Sequence, residues 1–339
     1  MASFDRLSRR AILGGALAAG PLLAAPFVLP RRAAAQAYPE RTFRVVIPTG
    51  QGGGAERLAR AHDAAWSKLL GQNFEYEFFP GAGGQIGYEM FVNRREPDGY
   101  NLLFGNMGPE MIMYAVQEPD YTFPDDYIYF CRTDIDDSAV FVRRDSEYES
   151  IEQVVDAAKQ NPLNTAVSRI PHPASIGMLA LGEQTQSEFN LIPYGGGNPT
   201  QVAVLNGEAD IGALPIAGIV ALSDQFRVLG VFSDRNILAD KTENAPTVNA
   251  VFGTSLPDLS SSRSWAVHTA WADSNPDAFA KLADTAKQAL ESDEFRAAYE
   301  KTGAPIETIA FGDRETCTTY AQNMIELANR YKSVLSADG

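Results

Sequence analysis

Twice between residues 43 and 94 the chain passes from a short β-rich run, through a cluster of glycines, straight into a helix. Phe43–Ile47 leads into Thr49-Gly50-Gln51-Gly52-Gly53-Gly54-Ala55-Glu56, and behind it Leu58, Ala61, Ala65 and Leu69 recur at helical spacing until Gly71. Phe74–Phe79 leads into Pro80-Gly81-Ala82-Gly83-Gly84-Gln85-Ile86-Gly87 and a helix through about Arg94, and Asn101–Gly105 is a third strand. This βαβ rhythm predicts a parallel sheet covered by helices. Glycine also lets the backbone curl so that successive N–H groups point into one hollow, and the helix N-terminus adds partial positive charge. Such a hollow holds a carboxylate without lysine or arginine. Either turn alone reads equally as a tight strand-to-helix connection; two of one kind in one lobe favour the anion site.

The rhythm recurs. Ser150-x-x-Gln153 caps a helix to about Gln160. Strands are expected near Asn164–Ser168, Asn190–Pro193, Ala209–Ala213 and Arg227–Phe232, with helices near Ala174–Gln186 and Pro199–Asn206. Ser274-Asn275-Pro276 starts a helix carrying Phe279, Leu282, Ala286 and Leu290. Gly303 ends another, and Asp313 opens a last one. Its stripe of Cys317, Tyr320, Met324, Leu327, Tyr331 and Val334 is core packing. At 339 residues the chain has room for about two domains. With no low-complexity linker between the halves, the expectation is α/β with two lobes, each a mostly parallel sheet flanked by helices, and a cleft between them.

Residues 1–37 stand apart. Ser8-Arg9-Arg10-Ala11-Ile12-Leu13 precedes an apolar run to Leu29, and Ala35-Gln36-Ala37 ends it. A basic start, an apolar middle and a small-x-small end make a secretory signal cleaved after Ala37. Paired arginines point to twin-arginine export into a bacterial periplasm. Gly14, Gly15, Gly20, Pro21, Pro26 and Pro30 interrupt the run, which argues against a membrane anchor. The formal net charge is -15, from 28 basic and 43 acidic residues. The signal carries five arginines and one aspartate, so the mature chain has 23 basic against 42 acidic residues, a balance of -19. A nucleic-acid partner is excluded, since phosphate contacts need clustered Lys and Arg.

Catalytic signals are thin. Neither glycine turn has the Lys-Ser/Thr of a phosphate-binding loop, and Ile86 breaks the spacing of a dinucleotide fingerprint. A G-x-S-x-G elbow is missing. His62, His172 and His268 form no H-x-x-x-H pair, so no metal site and no cofactor are expected. His62 reads as a surface or core-edge residue and His268 as packing beside Trp265. The acids of Asp134–Asp137 read as a solvated face, too few for a calcium loop. In Ser168–Ser175, a polar strand-to-helix turn, Arg169 and His172 either supply charge to a second anionic group or are exposed loop residues. Cys131 and Cys317 either pair or remain free; the place of Cys317 on an apolar helix face favours a buried thiol. No C-x-x-C is present.

Further motifs stand in a fixed order along the chain: Tyr38-Pro39-Glu40-Arg41, then Gln51–Arg60 against a P-G-G-x-x-D-x-x-A-R pattern, then Pro80–Gly87 and Pro97-Asp98-Gly99-Tyr100-Asn101-Leu102-Leu103. Pro193-Tyr194-Gly195-Gly196, Leu205-Asn206-Gly207-Glu208-Ala209-Asp210 and Ala245-Pro246-Thr247 follow. In this order they resemble the substrate-binding proteins of tripartite tricarboxylate transporters, the Bug family of periplasmic solute receptors, over nearly all of the mature chain. The resemblance implies a venus-flytrap receptor, with lobe one at 38–136 and 262–339 and lobe two at 137–261. It implies that the two glycine turns bind one ligand carboxylate through backbone N–H groups and water. The chain departs from the pattern at Thr49, Gln51 and Glu56. Its Ser168–Ser175 turn also carries Arg, Pro and His where the family has a Ser- and Gly-rich segment.

The expected ligand contacts in lobe one are therefore Thr49, Gln51, Gly53, Gly54, Ala55 and Glu56 in the first turn. Ala82, Gly83, Gly84 and Gln85 follow in the second, with Asn106 after the third strand. In lobe two they are Ser168, Arg169, His172, Ser175, Tyr194 and Asp210. The expected function is a monomeric, non-enzymatic receptor that captures a small organic acid for the permease subunits of such a transporter. A ligand sensor for a signalling partner, or a secreted two-lobed enzyme, is the alternative.

Overall fold

A computed structural model describes residues 38–257 and 259–335; the expected signal segment and the side chain of Val334 lie outside it. Two sheets organise these residues. The first has six strands in the order β11-β4-β10-β3-β1-β2. These are β1 (Phe43–Ile47), β2 (Phe74–Phe78), β3 (Asn101–Asn106), β4 (Tyr127–Asp134), β10 (Arg263–His268) and β11 (Ile309–Gly312). The second has five, in the order β7-β6-β8-β5-β9. These are β5 (Ser138–Arg143), β6 (Leu163–Val167), β7 (Phe189–Pro193), β8 (Ile211–Pro215) and β9 (Phe226–Val231).

The parallel expectation holds for the βαβ segments and gives way beyond them. β1 runs parallel to β2 and β3, and β6 parallel to β7 and β8. β10 is antiparallel to both of its neighbours, β3 and β4, and β5 is antiparallel to β8 and β9. These strands are reached across the lobes rather than through a covering helix, so no crossover constrains their direction.

Helices cover both faces of each sheet. On one face of the first sheet lie α1 (Gly54–Leu70), α10 (Pro276–Leu290) and α11 (Asp293–Glu300). On the other lie α2 (Gln85–Arg94), α3 (Met107–Gln117) and α12 (Arg314–Arg330). The second sheet carries α4 (Ile151–Gln160), α5 (Pro173–Thr185) and the short α8 (Val248–Phe252) on one face, with α6 (Gly197–Leu205) and α7 (Ile216–Val220) on the other, while the short α9 (Thr269–Ser274) leads from β10 into α10. The expected caps form: Ser150 Oγ accepts from Gln153 N, and Asp313 Oδ1 accepts from Thr316 N at 2.9 Å. The stripe of the last long helix is core: Cys317, Ala321 and Met324 pack on the first sheet. Ala328 and Tyr331 join the core of the second. α3 divides its contacts in the same way, with Met107 and Met111 toward one core and Ile112 and Ala115 toward the other. Cys131 and Cys317 are buried and free, in clusters on opposite faces of the first sheet.

His62 departs from its expected surface or core-edge place and sits wholly buried. Its Nδ1 accepts from Trp265 Nε1 at 2.8 Å, so Nε2 carries the proton and donates to the Ala286 carbonyl at 2.8 Å. One imidazole thus ties α1, β10 and α10 together. Helix periodicity places it on the inner face but carries no information about partners more than two hundred residues away. Burial pushes its pKa down to about 4. The neutral form is the folded form, so its stabilisation is complete above about pH 6.5 and is lost as pH falls toward 4, at most about 3 kcal/mol. We expect the melting temperature to drop between pH 7 and pH 4.5, with a smaller drop in His62→Gln, which keeps both hydrogen bonds without a titrating ring. Equal drops in parallel melts would assign the loss to other groups.

Candidate functional site

The carboxyl ends of the parallel strands in both sheets, and the amino end of the antiparallel β10, face one cavity of about 680 Å³. Open α/β sheets bind ligands at this end, where strands stop and helices begin. α1 starts from Gly53, which offers no side-chain cap, so the first N–H groups of the helix face the cavity unblocked by their own chain. α3 starts from Asn106, α5 from His172 and α6 from Gly196, all cavity-lining residues. In α6 the third residue is Pro199, so its free donors are the N–H groups of Gly197 and Asn198.

Most of the expected contacts meet here. Thr49, Gln51, Gly53, Gly54 and Ala55 of the first turn line the cavity, with Gly83, Gly84 and Asn106 from lobe one and Ser168, Arg169 and His172 from lobe two. Thr49 Oγ1 is buried there without a hydrogen-bond partner. In the second turn a tight 3-10 turn over Ala82–Gly84 uses two donors internally. Gly84 N bonds Gly81 O at 2.9 Å, and Gln85 N bonds Ala82 O. Gly83 adopts φ 66°, a conformation that side chains disfavour.

Six expected contacts lie outside the cavity lining, four of them with evident structural duties. Glu56 folds back on its own turn: Oε2 accepts from Gly52 N at 2.6 Å and Oε1 from Arg60 Nε at 2.8 Å. Burial alone would raise its pKa, but these donors hold it below the ordinary carboxylate value. Gln85 is turned to Glu89 Oε1 at 2.5 Å. Ser175 is buried and donates to the Arg169 carbonyl at 2.9 Å. Asp210 stands at the opposite, amino end of β8, where Oδ2 accepts from Asn164 N at 2.8 Å and fixes strand register. Ala82 and Tyr194 flank lining glycines, and Tyr194 packs against the core around α6.

The charges also differ from expectation. His172 Nδ1 accepts from Ala174 N at 3.0 Å, so the ring caps α5 and offers Nε2–H as a neutral donor. Burial, with Arg169 and Arg263 nearby, keeps its pKa well below the ordinary histidine value. It supplies no positive charge. Arg169 points across the cleft: Nη1 donates to Gly83 O at 2.7 Å, and Nη2 lies 3.6 Å from Glu110 Oε1.

Sequence reasoning missed Arg263, the first residue of β10. Its guanidinium lines the cavity, with Nη2 3.4 Å from where a side chain on Gly54 would begin. Nη1 pairs with Asp134 and Nη2 lies 3.4 Å from Asp136 Oδ2, while Nε is buried and unpartnered. The acids of Asp134–Asp137, expected at a solvated face, are buried instead. They brace the two chain crossings between the sheets: Arg263 N donates to Asp134 Oδ1 at 2.7 Å, and Ala217 N donates to Asp136 Oδ1 at 2.9 Å. An arginine that ends a serine run just before an apolar strand was the available signal.

Glu110 is the other residue that went unread. It lies in the first turn of α3, fully buried, with neither carboxyl oxygen hydrogen-bonded, against the backbone of Gly84. Burial raises its pKa to about 7, against the pull of Arg169, Asn106 and Arg263; the phenols of Tyr88, Tyr121 and Tyr129 are its other polar neighbours. The folded state holds this acid neutral only below about pH 7, so the stability tied to the neutral form is complete below about pH 4.5 and is lost as pH rises toward 7. Glu110→Gln is expected to raise the melting temperature at pH 8, by up to about 3 kcal/mol of stability, and by much less at pH 5. Equal shifts at both pH values in a thermal melt would overturn this reading.

Among the described residues no cluster of His, Cys, Asp or Glu is arranged to hold a metal ion. No described helix is long and apolar enough to cross a membrane. A sequence profile of the tripartite tricarboxylate transporter family receptor matches residues 58–335. The chain is 26% identical over 201 residues to the UPF0065 protein in the tcbD-tcbE intergenic region of Pseudomonas sp., covering 58% of this chain and 60% of that one. It spans 54% to 64% of the length of the first curated relatives it matches. Among solved structures it superposes on a TctC solute binding protein from Polaromonas with a TM-score of 0.68 at 24% identity, over 88% of this chain and 99% of that one. It superposes equally, at 0.68 and 21% identity, on MatC from Rhodopseudomonas palustris with bound malate, over 88% and 100% of the two chains. These likenesses give the architecture: two lobes, as in periplasmic binding proteins.

Proposed function

Because the chain belongs to the family of tripartite tricarboxylate transporter receptors, we propose that it captures a small organic acid between its lobes and delivers it to the permease subunits of such a transporter. The reading places the protein in the periplasm as a monomer, exported by way of its twin-arginine segment. Lobe one comprises 38–136 and 262–339, and lobe two 137–261. It acts by binding and release rather than by turnover.

One observation carries the proposal: uncapped helix N-termini and the guanidinium of Arg263 meet at one cavity in an otherwise acidic chain. The first-turn N–H groups, the Thr49 hydroxyl and Arg263 form a donor set for a carboxylate. The Gly83 turn and Asn106 flank it. The overall negative charge acts at longer range and is screened within about 8 Å at physiological salt. Lobe closure then follows from contacts that exist only when the lobes meet over the ligand.

The test is a thermal-shift screen of mono- and dicarboxylic acids on the mature chain, followed by calorimetry. At least one acid is expected to raise the melting temperature saturably. Turnover of an acid with no stabilising ligand would sink the proposal. Gly83→Val is expected to abolish the shift, because a β-branched residue at φ 66° distorts the turn and meets Met113 Cγ at 3.3 Å. Arg263→Lys keeps the charge but loses the fork, and is expected to weaken binding roughly tenfold or more while the fold persists.

A further inference from the structure

Arg169 belongs to lobe two, on the loop between β6 and α5, yet its guanidinium acts on lobe one. It donates to Gly83 O at 2.7 Å and faces the buried Glu110 carboxyl at 3.6 Å. Its own loop is held from behind. Ser175 Oγ donates to the Arg169 carbonyl, His172 N donates to Ile170 O at 2.8 Å, and the His172 ring caps α5. Pro171 approaches to 3.9 Å from where a side chain on Gly83 would begin, so the loop is seated against the glycine turn. Glu110 has no hydrogen bond to either oxygen, and when it is ionised Arg169 is the cation that most offsets its charge.

We propose that Arg169 is the closure latch of the molecule, a positioning residue that fastens lobe two to the Gly83–Gly84 turn rather than a partner for a second charge on the ligand. A charge-assisted hydrogen bond to a main-chain carbonyl, backed by a buried carboxyl, is stronger than a neutral one. Both contacts cross between lobes, so they bias the closed arrangement over the open one. Both are made to protein atoms, so the latch acts alike on every acid the cleft accepts, whatever its number of carboxylates. What the cleft accepts rests on the receptor reading above; the latch itself does not.

The ligand-free mature chain provides the first test. In Arg169→Ala, hydrogen exchange is expected to accelerate at least tenfold in peptides covering 80–87 and 168–175. Other segments should remain unchanged, and the radius of gyration from X-ray scattering should rise. Arg169→Lys is expected to restore part of the protection. Unchanged exchange and scattering in Arg169→Ala would overturn the latch. The second test uses succinate and butyrate as probes in stopped-flow release. The latch predicts that the dissociation rate rises by a similar factor for each; a loss confined to succinate would instead make Arg169 a ligand-charge partner. If neither probe binds the unsubstituted protein, the ligand-free measurements still decide the latch, and only the receptor reading is weakened.

Discussion

The architecture turns on where backbone donors are left unpaired. In each lobe the parallel strands deliver their helices to the same edge, so α1, α3, α5 and α6 all begin on residues that line one cavity. Each helix start leaves N–H groups without intrahelical partners and carries partial positive charge. Two of the four starts, Gly53 and Gly196, present no side chain that could close them off. A chain with few cations thereby concentrates hydrogen-bond donors in one place without concentrating lysines. The same constraint explains Gly84, which holds φ 111° and where a side chain would begin 3.0 Å from Glu110 Cγ.

The floor of the cleft is a second level of organisation. The chain crosses between the sheets near Ile135–Asp137 and again near Ser260–Ser262, and the crossings are bonded to each other. Ser138 N donates to Leu259 O, and Ser261 N donates to Asp136 O. Arg263 is clamped to this pair by Asp134 and Asp136 while still reaching the cavity. A guanidinium held by two buried carboxylates stays charged and has little freedom to reorient. Whatever touches Arg263 therefore also touches the segments that join the two sheets.

The helices, the βαβ strands and the caps were legible because local rules govern them: period, glycine turns, Ser150 and Asp313. The glycine turns were legible as cavity walls for the same reason. What escaped has long-range causes. His62 takes its role from Trp265 and Ala286, and the buried acids of the crossings take theirs from Arg263 and Ala217. Arg169 shows the difference most directly. Its place in a polar turn beside the cleft is a local property, whereas its partner, Gly83 O, depends on how two lobes meet. Asp210 shows the reverse error, since the family-like stretch it stands in reaches the amino end of its strand rather than the cleft.

The position of β10 carries a consequence for how the molecule is made. It lies between β3 and β4 and is the strand that joins them, yet it comes from the last quarter of the chain. The second sheet, by contrast, is drawn from one uninterrupted stretch. During synthesis lobe two has all its strands while lobe one is still split into two fragments with exposed edges, a state prone to mispairing. The sheet that carries the glycine turns is therefore the later of the two to be completed, and the cleft does not exist until residues 263–268 have inserted.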